Sequence, residues 1–204
     1  GTFDITIANV KGKKVDVITS VGDKHLGGRR FDEEIIKILD KKYKKAKSKG
    51  LDNPLKDEKL FTSAERIKKI LSNKDKATEI IEGPKGPHKI DVSRKEFEDS
   101  IDTYIEKIKM LMEEALERAD CKPNNISQTL LVGGSTRIPI ITKVLTELMG
   151  KPPVKGVNVD EAVVCGAAIY AGLKTEKKTL SENQQEALKD VNLTDVCNFY
   201  MGTL

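Results

Sequence analysis

Leu130-Leu131-Val132-Gly133-Gly134-Ser135-Thr136-Arg137-Ile138-Pro139 joins an apolar run, a paired-glycine turn and the start of an amphipathic stretch that continues from Ile140 to Met149. Thr129-Leu130-Leu131-Val132 reads as a short buried strand, because apolar and β-branched residues run unbroken up to a turn signal. The stretch reads as strand, glycine turn and helix start, in that order. Such a junction aims backbone N–H groups and a helix N-terminus at a nucleotide lying over the turn. Paired glycines admit a ligand where a Cβ would block it. Taken alone the pattern also fits a purely structural turn, so the rest of the chain has to decide.

The chain has 204 residues, enough for one or two domains with a real core. Charged residues make up 33% and hydrophobic residues 38%, the balance of a water-soluble protein. The net charge of +4 is mild. Lysines crowd between Lys37 and Lys76 but alternate with Asp, Glu and core positions. They read as a solvated helix face, because no aromatic or arginine-rich pattern accompanies them as it would on a nucleic-acid surface. Cys121, Cys165 and Cys197 are scattered and lack C-x-x-C spacing, which suits a reducing compartment, and Cys165 reads as a small core residue. His25 and His88 have no companion ligands for zinc. No apolar run is long enough to span a bilayer. The chain opens inside a strand-like segment, so it reads as a piece of a longer protein, in which any targeting signal would lie upstream.

Phe3, Ile5 and Ile7 alternate with Asp4 and Thr6, and Lys11-Gly12-Lys13 turns the chain into Val15, Val17 and Ile18, a β-hairpin. A glycine-punctuated loop from Gly22 to Gly28 precedes a helix on Phe31, Ile35, Ile38, Leu39 and Tyr43. Gly50 to Pro54 ends it and opens a second helix to about Ser72. Two strands follow, Ala77 to Ile81 and Lys89 to Val92, and Ser93 with Glu96 forms a capping box for one long helix. Val159 to Ala162 starts a small-residue helix through Ala171, and Lys174 to Lys189 reads as a polar surface segment or tether.

Several residues carry possible chemistry. Glu65, Lys68 and Ser72 fall on one line of a helix, with Lys69 beside it. They offer a carboxylate for ribose hydroxyls and an amine or hydroxyl for ring nitrogens; the alternative is an exposed face with an i,i+3 Glu–Lys pair. Thr2 can donate to a phosphate and Asp4 can hold a metal-bound water, or both can be ordinary strand residues. Asp23 with Gly27-Gly28 forms a phosphate nest or a tight turn. Asp160 complements a helix dipole, or supports a nucleotide.

The order of five stretches shifts the balance between these alternatives. Gly-Thr-Phe-Asp opens the chain, and Gly-Asp-x-His-Leu-Gly-Gly-x-x-Phe-Asp spans Gly22 to Asp32. Glu-Arg-x-Lys-x-x-Leu-Ser covers Glu65 to Ser72, Leu-Val-Gly-Gly-Ser-Thr-Arg-Ile-Pro covers Leu131 to Pro139, and Asp-Glu-Ala-Val-x-x-Gly-Ala-Ala covers Asp160 to Ala168. Together they closely resemble the ATP-driven chaperones of the seventy-kilodalton heat-shock protein (DnaK-type) family. The resemblance implies an α/β, actin-like ATPase (ribonuclease-H-like) fold, lobe II only, with an inserted α+β subdomain. It implies an inner, IIA-like subdomain at 1–28 and 120–189, an outer, IIB-like subdomain at 29–119, and at 190–204 the interdomain linker with the start of a truncated substrate-binding domain.

By matched position, Gly1 and Thr2 would end the second phosphate loop, and Asp4 would help hold the ion. Glu65 and Lys68 would meet the ribose, Lys69 would cover the adenine and Ser72 would bond its edge. Gly133, Gly134, Ser135, Thr136 and Arg137 would form the opposing adenosine wall, with Arg137 stacked on the base, and Asp160 would support the site. The implied cofactors are ATP or ADP with Mg2+. The implied partners are a J-domain co-chaperone, a nucleotide-exchange factor and unfolded client polypeptides, without nucleic acid or membrane, in the cytoplasm by default.

Lys69 departs from the family's usual arginine and lacks a planar face for stacking. Arg29 and Arg30 replace an acidic pair, and Asn192 and Thr194 interrupt an apolar linker. A linker docking through leucines would lose roughly 1.5–3 kcal/mol for each one missing. Two function classes follow. One is the adenosine-binding half of a chaperone ATPase that cannot hydrolyse ATP alone. The other is a divergent scaffold or nucleotide-exchange partner with weak or no ATPase activity. A sugar kinase or cytoskeletal actin-like protein would share the fold but leave the linker unexplained.

Overall fold

The computed structural model describes residues 1–154, 158 and 160–196; the expectations placed on Val159 and on Cys197 to Leu204 lie outside the described residues. The chain opens on the expected hairpin, β1 (Phe3–Lys11) and β2 (Lys14–Asp23). Phe3, Ile5 and Ile7 are half-buried while Asp4 and Thr6 are exposed, the period-two pattern of a strand with one covered face. Contacts divide the chain into two compact units. One comprises Gly1–Phe3, Asp23–Ile108 and Arg137–Val144; the other comprises Asp4–Gly22, Lys109–Thr136 and the described residues from Leu145 onward.

In the first unit α1 (Gly28–Lys47) buries Phe31, Ile35, Ile36, Leu39 and Tyr43. Lys41, Lys44 and Lys45 take its outer face, which bears out the solvated-helix reading of the lysine run. After a short 3₁₀ turn, α2 (Glu58–Leu71) starts on Asp57, whose carboxylate accepts the Lys59 N–H at 2.8 Å. It buries Leu60, Phe61, Ala64, Ile67 and Leu71. β3 (Lys76–Ile81) and β4 (His88–Ser93) pair antiparallel, Lys76 opposite Ser93 and Ile81 opposite His88. The turn between them is pinned by Tyr43, whose hydroxyl donates to the Gly86 carbonyl at 2.7 Å and accepts the Lys85 N–H at 3.0 Å. α1 packs on α2, β4 and the next helix, and α2 packs on β3, so one core holds the unit together.

The Ser93–Glu96 capping box forms as expected, but the helix it starts is two helices, α3 (Arg94–Ser100) and α4 (Asp102–Arg118). At Ile101 the backbone sits at φ −101° and ψ 5°, with its N–H shared between the Phe97 and Glu98 carbonyls at 3.2 Å each. The tightened turn leaves Phe97 and Ile101 both buried.

A 3₁₀ turn over Gly134–Arg137 leads into α5 (Pro139–Met149); Arg137–Val144 belong to the first unit, and Leu145 and Met149, in the second, are buried. α6 (Ala162–Lys174) and α7 (Glu182–Leu188) follow, then β5 (Asn192–Thr194). β5 adds to the hairpin in the order β1-β2-β5, parallel to β2, with Lys14 opposite Asn192 and Asp16 opposite Thr194.

Three expectations need correction here. Thr129–Val132 is not a strand: among the described residues no strand lies beside it to complete a ladder. A loop hydrogen bond runs from the Val154 N–H to the Thr129 carbonyl at 2.8 Å, and Leu130 is 56% exposed. Cys165 is exposed rather than buried, because α6 is covered only near its end, where Gly172 meets Leu188 of α7. The stretch from Lys174 to Lys189 lies on the surface as expected but is no simple tether, since it holds a helix: Ser181 caps α7 by accepting the Gln184 N–H, while the Gln184 amide oxygen accepts the Ser181 N–H.

Candidate functional site

Periodicity places Glu65, Lys68, Lys69 and Ser72 along the last turns of α2, and the structure keeps them there. Their partners differ from the simplest i,i+3 expectation. Lys69 pairs with Glu65 at 2.9 Å, an i,i+4 contact, and both side chains are well exposed. Its hydrogen bond to Lys69 holds the Glu65 carboxyl below the usual value. An exposed pair of this kind is worth less than about 1 kcal/mol, so both groups can be turned to a ligand at little cost.

Lys68 is differently placed. Its ammonium lies 2.8 Å from Asp32 Oδ1, hydrogen-bonds Oδ2 at 2.9 Å and donates to the Gly28 carbonyl at 3.1 Å. Only 12% of the Lys68 side chain and 11% of the Asp32 side chain are exposed. Burial holds the Asp32 carboxyl above its ordinary value, and the neighbouring Lys68 opposes that rise. Lys68 therefore ties α2 to the first turn of α1, a role its sequence position did not suggest. Ser72 Oγ donates to the Lys68 carbonyl at 3.1 Å and ends α2.

The same unit carries Gly1, Thr2 and Arg137, all exposed. Gly27 approaches Gly1 so closely that a Cβ on Gly27 would lie 2.4 Å from the Gly1 carbonyl oxygen, which requires glycine there. The loop before it is fixed by Asp23. Its carboxylate accepts the His25 N–H at 2.6 Å and pairs with Lys107, and these contacts, Lys107 first, hold its pKa below the usual value.

The second unit carries Asp4, Gly133, Gly134, Ser135, Thr136 and Asp160. Gly133 adopts φ +91°, a conformation that favours glycine. Thr136 closes the turn, its N–H reaching the Gly133 carbonyl at 3.1 Å and its hydroxyl donating to the same oxygen at 2.6 Å. Nothing lies within 4 Å of where a Cβ on Gly133 or Gly134 would stand, so the turn presents bare backbone to open space. That fits the approach of a nucleoside. Asp4 is an exposed carboxylate on β1, which suits Mg2+ held through water, an ion that keeps several waters and takes one or two carboxylates. Asp160 precedes α6 in a turn where the Asn158 Oδ1 accepts the Asp160 N–H at 3.2 Å, and Glu161, the N-cap residue of α6, makes no side-chain capping bond. Among the described residues no three His, Cys, Asp or Glu side chains group as metal ligands, and no helix is long and apolar enough to cross a membrane.

The sequence reading missed Asp32 as the partner of Lys68. A contact between residues 36 apart leaves no periodic signal.

A family model described as Hsp70 protein matches residues 1–203. Among curated relatives, a chaperone protein dnaK of Emiliania huxleyi is 34% identical over 212 residues, covering 99% of this chain and 32% of its own length. A chaperone protein DnaK of Thermosipho africanus is 35% identical, and one of Thermosipho melanesiensis 36% identical, each over 214 residues. Each covers 99% of this chain and 34% of the relative, so the chain spans about a third of the length of these proteins.

Proposed function

The chain belongs to the Hsp70 protein family, and from that premise we propose that it is lobe II, the adenosine-binding half, of the ATPase domain of an ATP-dependent protein-folding chaperone. The observation that carries the reading is the Gly133–Thr136 turn, with its left-handed glycine and bare backbone. In this reading residues 29–119 form the outer subdomain, 1–28 with 120–189 the inner one, and 190–204 the linker and the start of a substrate-binding domain.

Glu65 accepts from ribose hydroxyls, Lys69 covers the adenine and Ser72 bonds its edge. Lys68 supports the ribose, Gly133, Gly134, Ser135, Thr136 and Arg137 contact the adenosine, and Asp160 supports the site. Gly1 and Thr2 meet phosphate and Asp4 orders water on the ion. When bound, Mg2+ neutralises charge on the phosphates. The parent protein works with a J-domain co-chaperone, a nucleotide-exchange factor and unfolded clients, in the cytoplasm. Hydrolysis needs groups from the other lobe, so the 204-residue chain alone is expected not to turn ATP over.

Single-turnover hydrolysis by the longer parent, with and without a J-domain protein, tests the proposal. Hydrolysis accelerated by the partner, alongside an inactive isolated chain, is the expected result. Binding without hydrolysis in the parent would replace it with a scaffold or exchange-partner role, and turnover by the isolated chain would refute the division of labour.

A further inference from the structure

Between the Asp23–Gly27 loop and the first turn of α1 lies an open cleft of about 230 Å³, lined by Lys24, His25, Arg29, Arg30 and Glu33, with Gly1 and Gly27 completing its wall. Three full cations face one carboxylate. That carboxylate is already engaged: Glu33 accepts from Arg30 Nη1 at 2.7 Å. Arg30 Nε also donates to the His25 carbonyl at 3.3 Å. A guanidinium offers five donors in a planar fork, so these anchors orient Arg30 without exhausting it.

Arg29 is held by its face, its guanidinium 4.2 Å above the centre of the Phe61 ring. Stacking of that kind leaves the edge N–H groups in the plane, pointing outward. Lys24 is exposed. The loop that carries Lys24 and His25 is set by Asp23, which accepts the His25 N–H through its carboxylate and the Leu26 N–H through its carbonyl at 3.2 Å. The first turn of α1 contains no acidic residue to offset this charge. Two oriented guanidinium forks, a lysine and a pre-set loop are what a tetrahedral, doubly charged oxyanion needs, since forks match its oxygens in pairs.

We propose that this cleft is an oxyanion site that takes a phosphate group, gripped by Arg29 and Arg30, with Lys24 adding charge. The inference shares Gly1 with the phosphate end of the proposed function, but it rests on Arg29, Arg30 and Lys24 and does not depend on the adenosine reading of α2 or of the Gly133 turn.

The test is calorimetric titration of the 204-residue chain with inorganic phosphate at fixed ionic strength, chloride making up the difference. Saturable binding is expected, weakened about tenfold or more by Arg29→Gln with Arg30→Gln. Glu33→Gln, which releases Arg30 from its competitor, is expected to tighten binding about threefold. Circular dichroism checks that the variants fold; should the double variant not, Lys24→Gln is expected to weaken binding about twofold. Displacement of phosphate by ADP but not by adenosine would assign the group to the phosphate end of a nucleotide. Displacement by neither would assign the site to free phosphate. Absence of saturable binding, or an affinity untouched by these substitutions, would overturn the proposal.

Discussion

Lys68 sits on α2 and reaches across to two groups of α1, the Asp32 carboxylate and the Gly28 carbonyl. The helical period put it in line with Glu65 and Ser72, yet its ammonium is spent on Asp32 and the Gly28 carbonyl, nearly out of water. The raised pKa of Asp32, due first to burial, fixes a sign. The folded state binds that proton more tightly than the unfolded state, whose value is near 3.8. Its contribution to stability is therefore full below about pH 3.8 and is lost as pH rises through the folded value. Urea unfolding of the chain and of Asp32→Asn, from about pH 3 to about pH 6, should show the wild-type advantage shrinking as pH rises. An advantage that grows would mean that attraction to Lys68 outweighs burial. The partner was hidden from sequence because a contact between two helices follows tertiary packing, whereas the α2 face follows from local geometry alone.

At the scale of elements, local chemistry was the reliable guide. The hairpin, the buried stripe of α1 and the Ser93–Glu96 box were legible because each is decided by neighbours within a few residues. Thr129–Val132 was not, since a strand is completed by a partner the local pattern cannot supply. β5 adds a similar lesson. Asn192 and Thr194 interrupt an apolar run, but all three β5 side chains are exposed and the strand is held by main-chain pairing with β2, helped by the Asn192 N–H to the Lys13 carbonyl at 3.1 Å. Asn192→Pro removes that donor and should destabilise β5 by about 1 kcal/mol. Asn192→Leu should leave the pairing intact. Hydrogen exchange at Val15 to Thr19 would compare them, and equal protection in the two variants would show that the main chain is not what docks the strand.

For the whole molecule, the two units differ in how much they bury. The first has a continuous core on α1, α2, β3, β4 and α3, and the second leaves α6 exposed along most of its length despite its apolar composition. Local opening should follow that difference. Amides of α1 around Leu39 are expected to exchange only through cooperative unfolding, and those around Cys165 to exchange orders of magnitude faster. Mass-resolved exchange on the chain checks this, and equal rates in both helices would contradict the packing. Composition could not reveal it, because a run of Ala, Val and Gly reads the same whether or not anything covers it.

The pairing of β2 with β5 carries one further consequence, for the order of folding. Lys14 meets Asn192 across nearly the full described length of the chain, so the ladder closes a very long loop for three pairs of residues. The entropy of closing that loop must be met before those few contacts return anything. The hairpin and the helices can form without β5; β5 can settle only on a β2 already in place, which makes it the last piece of the second unit to arrive and the first to leave.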